Sequence, residues 1–321
     1  MRWIGAQITV LPAAVEVSVP PDKLEELLHF AARLQSAHVC GVRPLRTFAG
    51  KVAFFAGLIP LIRPFLASIW AALASPTAAA GSAALVHTKR IARSLRWIQA
   101  FAHGHLGGLR RSHPLCASDG DSYFIVTDAS PWGIGGVLFH EAVPASCFAD
   151  HIHLADLRRF QASVGDPAFN TLWELLAILV ALRLWLPVVP RQAQVTVKSD
   201  SHGSLCAIHK LSSSSPSMSM VLAELALDFA VCPESITALQ HIPGVSNTLA
   251  DPLSRLWAPE PAAFPEALEY IPGAQVPPRR ACFWKTIRPP AVPPWAPAPG
   301  SRPARATRPA PSHGTGALAQ A

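Results

Sequence analysis

The stretch that decides the fold is QHIPGVSNTLADPLSRLW, residues 240–257, which contains a turn, an asparagine and one aspartate at the start of a short helix. Apolar residues flank Asp251 on both sides, in a chain of which only 15% of the residues are charged. Burying a carboxylate without a partner costs free energy. Asp251 therefore either caps a helix whose first position is Pro252, or it belongs to a group of polar side chains that the fold brings together.

Three further acids interrupt or end apolar elements earlier in the chain. Asp128 lies near the end of the first strand of a hairpin predicted from SYFIVTDASPWGIGGVLF, and Asp200 ends a strand predicted from AQVTVKSD. Glu174 lies in the first turn of the strongly apolar helix predicted over about 171–186. Taken singly, each acid has an ordinary structural role: a turn former, a helix cap, or a side chain stabilised by a helix N-terminus.

The order of elements after residue 120 predicts an α/β domain. The hairpin and the apolar helix are followed by a strand ending at Asp200, a helix, the serine run 212–217, a second helix, the strand SITALQHIP and a final helix over 246–257. This β-β-α-β-α-α-β-α order is typical of a mixed sheet with helices on its faces, whereas residues 143–170 show no regular pattern. Asp128 and Asp200 would both lie at the carboxyl ends of strands, where open α/β sheets place their sites.

The N-terminal third is predicted to be mainly helical and basic. Residues 1–20 alternate like a short hairpin, and a helix should begin near Asp22, with further helices over 44–57, 60–74 and 83–103. The unit 21–110 has few acids after residue 26, so we expect it to bind a nucleic-acid duplex through phosphate contacts without reading sequence. Its exposed cations are Arg43, Arg46, Lys51, Arg63, Lys89, Arg90, Arg93 and Arg96. The sequence predicts a loop over residues 111–120.

The composition of the chain limits the classes of partner and the cell compartment that we expect. The formal net charge of +7, carried mostly by arginine, favours phosphate-bearing partners, although an arginine-rich composition also arises from a GC-rich genome. The six cysteines form no C-x-x-C pair, which argues against a zinc ribbon and a disulfide framework and favours a reducing, intracellular compartment, cytoplasmic or nuclear. The longest apolar stretch, 64–86, is split by Pro76, so we expect a buried helix and no membrane partner.

The end of the chain, 258–321, is rich in proline, alanine and arginine. Such a composition offers no apolar face to bury. We therefore expect a disordered tail that is dispensable for folding and activity.

Four sequence segments occur in an order that identifies a family. TDAS, WELLAILVAL, KSDSHGSL and HIPGVSNTLADPLSRL follow one another, and the last matches the pattern G-x-x-N-x-x-A-D-x-L-S-R. Residues 121–257 thereby resemble a ribonuclease H domain of the retroelement type. The resemblance implies a ribonuclease H-like mixed five-stranded sheet flanked by helices. It also implies that Asp128, Glu174, Asp200 and Asp251 form a catalytic, metal-binding quartet.

The same resemblance implies a reaction, a metal and a substrate. Ribonuclease H domains hydrolyse the RNA strand of RNA/DNA hybrids with two Mg²⁺ ions, for which Mn²⁺ can substitute. By this analogy Asp128 bridges both ions, Asp251 helps to hold the ion that activates water, and Glu174 and Asp200 hold the ion near the leaving oxygen.

Contacts to the sugar–phosphate backbone are likewise implied by the resemblance. They fall to Asn247 and to backbone groups near Ser130 or Ser201. His241 is either the histidine of the family's catalytic loop or the polar end of a strand.

The N-terminal third extends this resemblance. WIGAQITVLPAAVEVSVPPDKLEELLHFAARL is similar to the stretch after the polymerase palm of retrotransposon reverse transcriptases, and PLRTFAGKVAFFAGLIPLIRPFLASIW to their thumb and connecting helices. The overall pattern is most similar to the tyrosine-recombinase class or a related LTR element. We therefore expect the C-terminal piece of a reverse transcriptase without its palm, with 1–20 a hairpin remnant following that missing palm. Other domains of the retroelement polyprotein would then be partners.

Two alternatives keep the same fold but change the function. In the first, the chain binds nucleic acid but no longer cleaves it, because the retroelement has decayed and the catalytic activity has been lost. In the second, the metal site cuts DNA, as related transposases and integrases do. Incubation with RNA/DNA hybrid, duplex DNA and duplex RNA separates these readings.

Overall fold

The computed structural model describes residues 2–3, 5–75, 84–106, 109–115, 120–232 and 236–291. Two structural units are present: a mainly helical N-terminal unit, and an α/β domain that begins near residue 120. The second unit carries the predicted acids.

A small antiparallel sheet opens the chain. Its strands, in spatial order, are β1 (Arg2–Trp3), β2 (Ala6–Val10), β3 (Ala14–Ser18) and β6 (Arg110–Pro114). The β2–β3 pair confirms the predicted hairpin. The loop predicted over 111–120 is wrong for its first residues, because β6 pairs with β3 although its sequence, RRSHP, has no apolar alternation. Residues 116–119 lie outside the described part of the chain.

Four helices form the core of the N-terminal unit. They are α1 (Pro21–Ser36), α2 (Val42–Leu58), α3 (Arg63–Leu73) and α4 (Ala92–Ala102). Helix α2 buries Leu45, Phe48, Val52 and Phe55, a spacing of three and four residues that places them on one face. In the described part of the predicted 83–103, α4 is preceded by a short 3-10 helix (Thr88–Arg90), and Leu85–His87 is not helical because it forms strand β5 against β4 (Val39–Gly41). Helix α3 is mostly buried, and residues 76–83 lie outside the described chain.

The α/β domain is built on one mixed sheet. Its strands are β7 (Ser122–Ala129), β8 (Gly133–His140), β9 (Val143–His151), β10 (Gln194–Ser199) and β11 (Ala238–His241). The spatial order is β11-β10-β7-β8-β9. Strands β7, β8 and β9 are antiparallel neighbours, whereas β10 and β11 run parallel to β7. This topology confirms the expected fold class: a ribonuclease H-like mixed five-stranded sheet flanked by helices and preceded by a helical unit.

Strand β9 lies where the sequence showed no pattern, so the irregular interval predicted over 143–170 is wrong for residues 143–151. The strand contains a proline and several small residues, which have a weak intrinsic preference for sheets. Pro144 is tolerated because β9 is an edge strand and the pairing with β8 shifts register between Leu138 and Phe139.

Five helices accompany the sheet. They are α5 (Leu154–Phe160), α6 (Asn170–Trp185), α7 (His202–Lys210), α8 (Pro216–Val231) and α9 (Ala250–Ser254). Helix α6 packs on β7 and β8 with one side and on α7 and α8 with the other, so most of its residues are apolar and buried on both sides. The stretch Pro167–Trp185 is long and apolar enough to cross a membrane by length and composition, yet most of it is buried inside the domain.

The segment after α9 is packed against the domain as far as residue 291. It runs beside β9, where the Cys147 amide donates to the Pro272 carbonyl (3.2 Å) and the Ala274 amide donates to Cys147 (2.7 Å). Leu268, Phe283 and Trp284 are buried. The prediction of a disordered tail is therefore wrong for 259–291, and residues 292–321 lie outside the described chain.

One buried arginine fixes this segment to the edge of the sheet. The guanidinium of Arg279 donates to Asp156 Oδ2 (2.8 Å), to Asp150 Oδ2 (2.5 Å) and to the carbonyl of His151 (2.8 Å). The side chains of Arg279 and Asp156 are both fully buried. The desolvation cost of a buried charge is offset only as long as its ion-pair and hydrogen-bond partners are present.

A second anchor joins the segment to both structural units. The carboxylate of Glu224 on α8 is fully buried and accepts the amides of Lys285 (2.8 Å) and Thr286 (2.7 Å). The carbonyl of Thr286 accepts the indole N–H of Trp97 on α4 (2.9 Å). The segment thus links the α/β domain to the N-terminal helices.

We expect Arg279→Ala to lower the free energy of unfolding by about 3–5 kcal/mol, because it leaves the carboxylate of Asp156 buried without its cationic partner. The neighbouring exposed Arg280 provides the matched control, and Arg280→Ala should change the free energy by less than about 0.5 kcal/mol. Urea denaturation of the full chain measures both values. Equal stabilities of the two variants would show that the segment is not anchored as described.

Candidate active site

Two of the predicted acids are neighbours because their strands are parallel. Lys198 on β10 lies opposite Val126 on β7, so Asp128 and Asp200, each two residues further along, reach the same edge of the sheet. This confirms that both acids lie at carboxyl strand ends. Asp128 is 3% exposed, whereas Asp200 is partly exposed.

Helix α6 brings a third acid to this edge. Glu174 is the fifth residue of the helix, one residue further in than predicted, and it is buried. Its Oε1 accepts the amide of Ala129 (3.1 Å), and its Oε2 accepts the hydroxyl of Ser199 (3.4 Å). One carboxylate oxygen each from Asp128, Glu174 and Asp200 lie within 4.8 Å of one another. A group of this kind can hold a metal ion.

The carboxylate of Asp128 is held by two residues of the motif in the last helix and the turn before it. Ser254 Oγ donates to Asp128 Oδ2 at 2.6 Å, and Asn247 Nδ2 donates to Oδ1 at 3.1 Å. Asn247 also donates to the carbonyl of Thr127 (3.3 Å) and is only 2% exposed. The Asn247 amide thus faces Asp128 in this structure, and its contact with a substrate stays a prediction. The role of Ser254 was not predicted, although the motif contains it.

Asp251 stands beside the group of three acids but is not part of it. Its Oδ1 accepts from Nε of Arg255, four residues later, at 2.7 Å. Its negative charge is nevertheless close enough to raise the pKa of Asp128. The structure therefore brings three of the four predicted acids together and leaves the fourth adjacent, paired with an arginine.

Two glycines allow the last helix to approach the sheet. A Cβ at Gly135 would lie 2.6 Å from that of Leu253, and one at Gly133 would lie 2.7 Å from the carbonyl oxygen of Ser254. Larger side chains would push α9 away. The close contact of α9 with β8 places Ser254 against Asp128.

Burial and like charges act together on the acids. Desolvation raises the pKa of Asp128 to about 7, opposed by the hydrogen bond from Ser254 and reinforced by the charges of Asp200 and Asp251. Burial, followed by the charges of Asp128 and Asp200, raises the pKa of Glu174 well above its ordinary value. The group of three therefore favours an added proton or cation.

The remaining predicted residues lie around this centre in different roles. Ser130 is buried, accepts the amides of Trp132 (3.2 Å) and Gly133 (3.1 Å) and donates to the carbonyl of Ser254 (2.7 Å). Its side chain closes the β7–β8 turn and is not open to a substrate.

Ser201 and His241 lie close to Asp200. Ser201 caps α7, and its partly exposed side chain accepts the Ser204 amide (3.4 Å). His241 is exposed, and its Nε2 lies 3.0 Å from the carbonyl oxygen of Asp200. Both residues therefore lie at the rim of the candidate site.

Two other groups of acids and histidines occur among the described residues. Asp150, His151 and His153 lie together at the end of β9, but Asp150 already pairs with Arg279 and His153. The second group, which includes Asp121 and His140, is largely exposed. Neither combines buried acids with strand ends.

The fold and the carboxylates define a class: a ribonuclease H-like domain with a candidate metal centre. No protein-family model matches the chain, and no curated protein matches it. Among solved structures it is similar to RNase H1 from the halophilic archaeon Halobacterium salinarum NRC-1, with 14% sequence identity and a TM-score of 0.32, over 41% of this chain and 92% of that chain. This likeness is too weak to carry an argument, so the class rests on strand order and direction.

The raised pKa of Asp128 predicts a pH dependence of the metal-free protein. The pKa of Asp128 is about 7 in the folded protein and returns to 3.8 on unfolding, so the folded state binds the proton more tightly. The free energy of unfolding therefore falls as the pH rises from about 4 to about 7. The loss is about 1.4 kcal/mol for each unit of pKa difference. Melting curves in EDTA should therefore show that Asp128→Asn gains stability over wild type as pH rises, and that the gain levels off above pH 7. A constant difference at all pH values would contradict the shift.

Proposed function

We propose that this chain is a metal-dependent, ribonuclease H-type endonuclease that hydrolyses the RNA strand of RNA/DNA hybrids. The observation that carries the proposal is the gathering of Asp128, Glu174 and Asp200, from two parallel strands and the helix that packs on them, within 4.8 Å. Two of these acids are buried with raised pKa values, an arrangement that has a cost in stability and that a divalent cation would relieve.

The donor set fits Mg²⁺. All three side chains offer carboxylate oxygens, which are the hard ligands that Mg²⁺ and Mn²⁺ prefer. Asp128, Glu174 and Asp200 would hold the cation, and Asp251 would complete the quartet on leaving Arg255. When bound, divalent ions supply an activated water and neutralise charge at the reacting phosphate.

The chain's own residues orient these ligands. Ser254 and Asn247 fix both oxygens of Asp128, and the Ala129 amide fixes one oxygen of Glu174. The N-terminus of α7 lies beside Ser201 at the rim, and a helix N-terminus is a favourable place for a phosphate. His241 stands on the same rim. RNA would be distinguished from DNA by contacts to the 2′-hydroxyl and by helix shape.

The sequence motifs support a narrower setting, the ribonuclease H part of a retroelement reverse transcriptase. In that setting the N-terminal helices correspond to a thumb and connection, and further polyprotein domains would be partners. Cleavage of duplex DNA, or binding without cleavage, would replace this proposal. Labelled RNA/DNA hybrid, duplex DNA and duplex RNA, each incubated with Mg²⁺ or with EDTA, distinguish these activities.

We expect Ser254→Ala to reduce hybrid cleavage about 10–100-fold, because it removes the hydrogen bond that orients Asp128. Asp128→Asn should reduce cleavage further, since it removes a ligand while Asn247 can still donate to the remaining side-chain oxygen. The exposed Ser163 provides the control, and Ser163→Ala should cleave like wild type. Initial rates in Mg²⁺ measure all four proteins. An Asp128→Asn protein that still cleaves the hybrid would overturn the proposed site.

A further inference from the structure

A large cleft lies between the N-terminal helices and the α/β domain. Its volume is about 1130 Å³. One wall comes from α2, α3 and the start of α4, and the other from the serine-rich loop 212–214 and the first half of α8. None of the proposed metal ligands lines it, so the cleft is a separate site.

The charge of this cleft has one sign. Its lining contains Arg63, Lys89, Arg90 and Arg93 and no aspartate or glutamate. The chain has no acid at all between Glu26 and Asp119, so the helical wall has no acid of its own with which to neutralise these cations. A concave surface with cations alone attracts a polyanion.

Three of the four cations are available to a ligand. Lys89, Arg90 and Arg93 are exposed, and within the described part of the chain none of them forms an ion pair. Arg63 has a structural role instead, because it donates to the carbonyls of Ala56 (3.0 Å) and Lys210 (2.9 Å) and so joins the two walls.

The cleft also offers an aromatic surface and hydroxyl groups. Trp70 on α3 lines it with 43% of its surface exposed, so its ring is open to a ligand. Five serines belong to the same lining, Ser68, Ser94 and the loop serines 212–214, of which Ser68 and Ser94 hydrogen-bond each other (2.6 Å) and Ser213 donates to Met218 Sδ. Proteins bind single-stranded nucleic acid with two features: cations that contact successive phosphates, and an exposed aromatic ring on which a base can stack.

We propose that this cleft binds a single nucleic-acid strand, with Lys89, Arg90 and Arg93 on phosphates and Trp70 stacked on a base. Its volume is close to that of small-ligand sites, which suits a few nucleotides of one strand and is too small to enclose a double helix. The proposal does not depend on cleavage activity, because binding can be measured with the metal removed.

The test is fluorescence anisotropy of a labelled oligothymidylate with the full chain in EDTA, over a series of salt concentrations. Arg90→Ala/Arg93→Ala should weaken binding roughly tenfold and reduce the salt slope by about 1.4, as expected for two lost phosphate contacts on a single strand. Trp70→Ala should weaken binding without changing the slope, because the indole carries no charge.

A matched double variant distinguishes binding in this cleft from nonspecific attraction of the strand to the basic protein surface. Arg158 and Arg191 are exposed in the α/β domain outside the cleft, and Arg158→Ala/Arg191→Ala removes the same charge. This variant should bind within about twofold of wild type if the cleft carries the phosphate contacts. Equal weakening by both double variants would overturn the proposal.

Two competitors test the class of ligand. Duplex DNA of the same length should compete more weakly than the single strand, and polyglutamate should not displace it. Stronger competition by duplex, or displacement by polyglutamate, would contradict the assignment to a single strand. Since hybrid cleavage is assayed separately in Mg²⁺, failure here and failure of the proposed nuclease are distinguishable.

Discussion

The structure of the α/β domain depends on keeping three carboxylates together at one buried edge of a sheet. Like charges in a medium of low dielectric repel strongly, and burial adds a desolvation cost. The surrounding elements offset this cost with directed donors: Ser254 and Asn247 for Asp128, and the Ala129 amide for Glu174. A bound cation would offset the part of this free-energy cost that the donors do not. The cost that remains without one is the physical reason for regarding this edge as a functional site.

A second layer of buried charge holds the domain together elsewhere. Arg279 satisfies Asp150 and Asp156 at the edge of the sheet, and Glu224 on α8 receives the amides of the same C-terminal segment. Each of these acids is paired with an arginine: Asp150 and Asp156 with Arg279, and Glu224 with Arg183. Within the described residues, no arginine or lysine pairs with Asp128, Glu174 or Asp200, and this distinguishes the structural acids from the three that face one another.

Most of the sheet of the domain and the acids at its strand ends could be predicted from the sequence. Strand β7 and helix α6 are strongly apolar, β10 alternates apolar and polar residues, and each of the three carries or precedes one acid. The sequence failed for β9 and β6, whose pairing is specified by neighbouring strands and not by their own pattern. It failed for 259–291 because single apolar residues among prolines have no period. The pairing of Asp251 with Arg255 and the orientation of Asn247 depend on side-chain contacts that a motif does not reveal.

The central claim is that the carboxylates form a divalent-cation site, and Mn²⁺ binding followed by electron paramagnetic resonance tests it most directly. Wild type should bind Mn²⁺, and Mg²⁺ should compete with it. Glu174→Gln should lose this binding, whereas Glu260→Gln, which makes the same change at an exposed position, should keep it. Equal Mn²⁺ affinity in wild type and both variants would contradict the account.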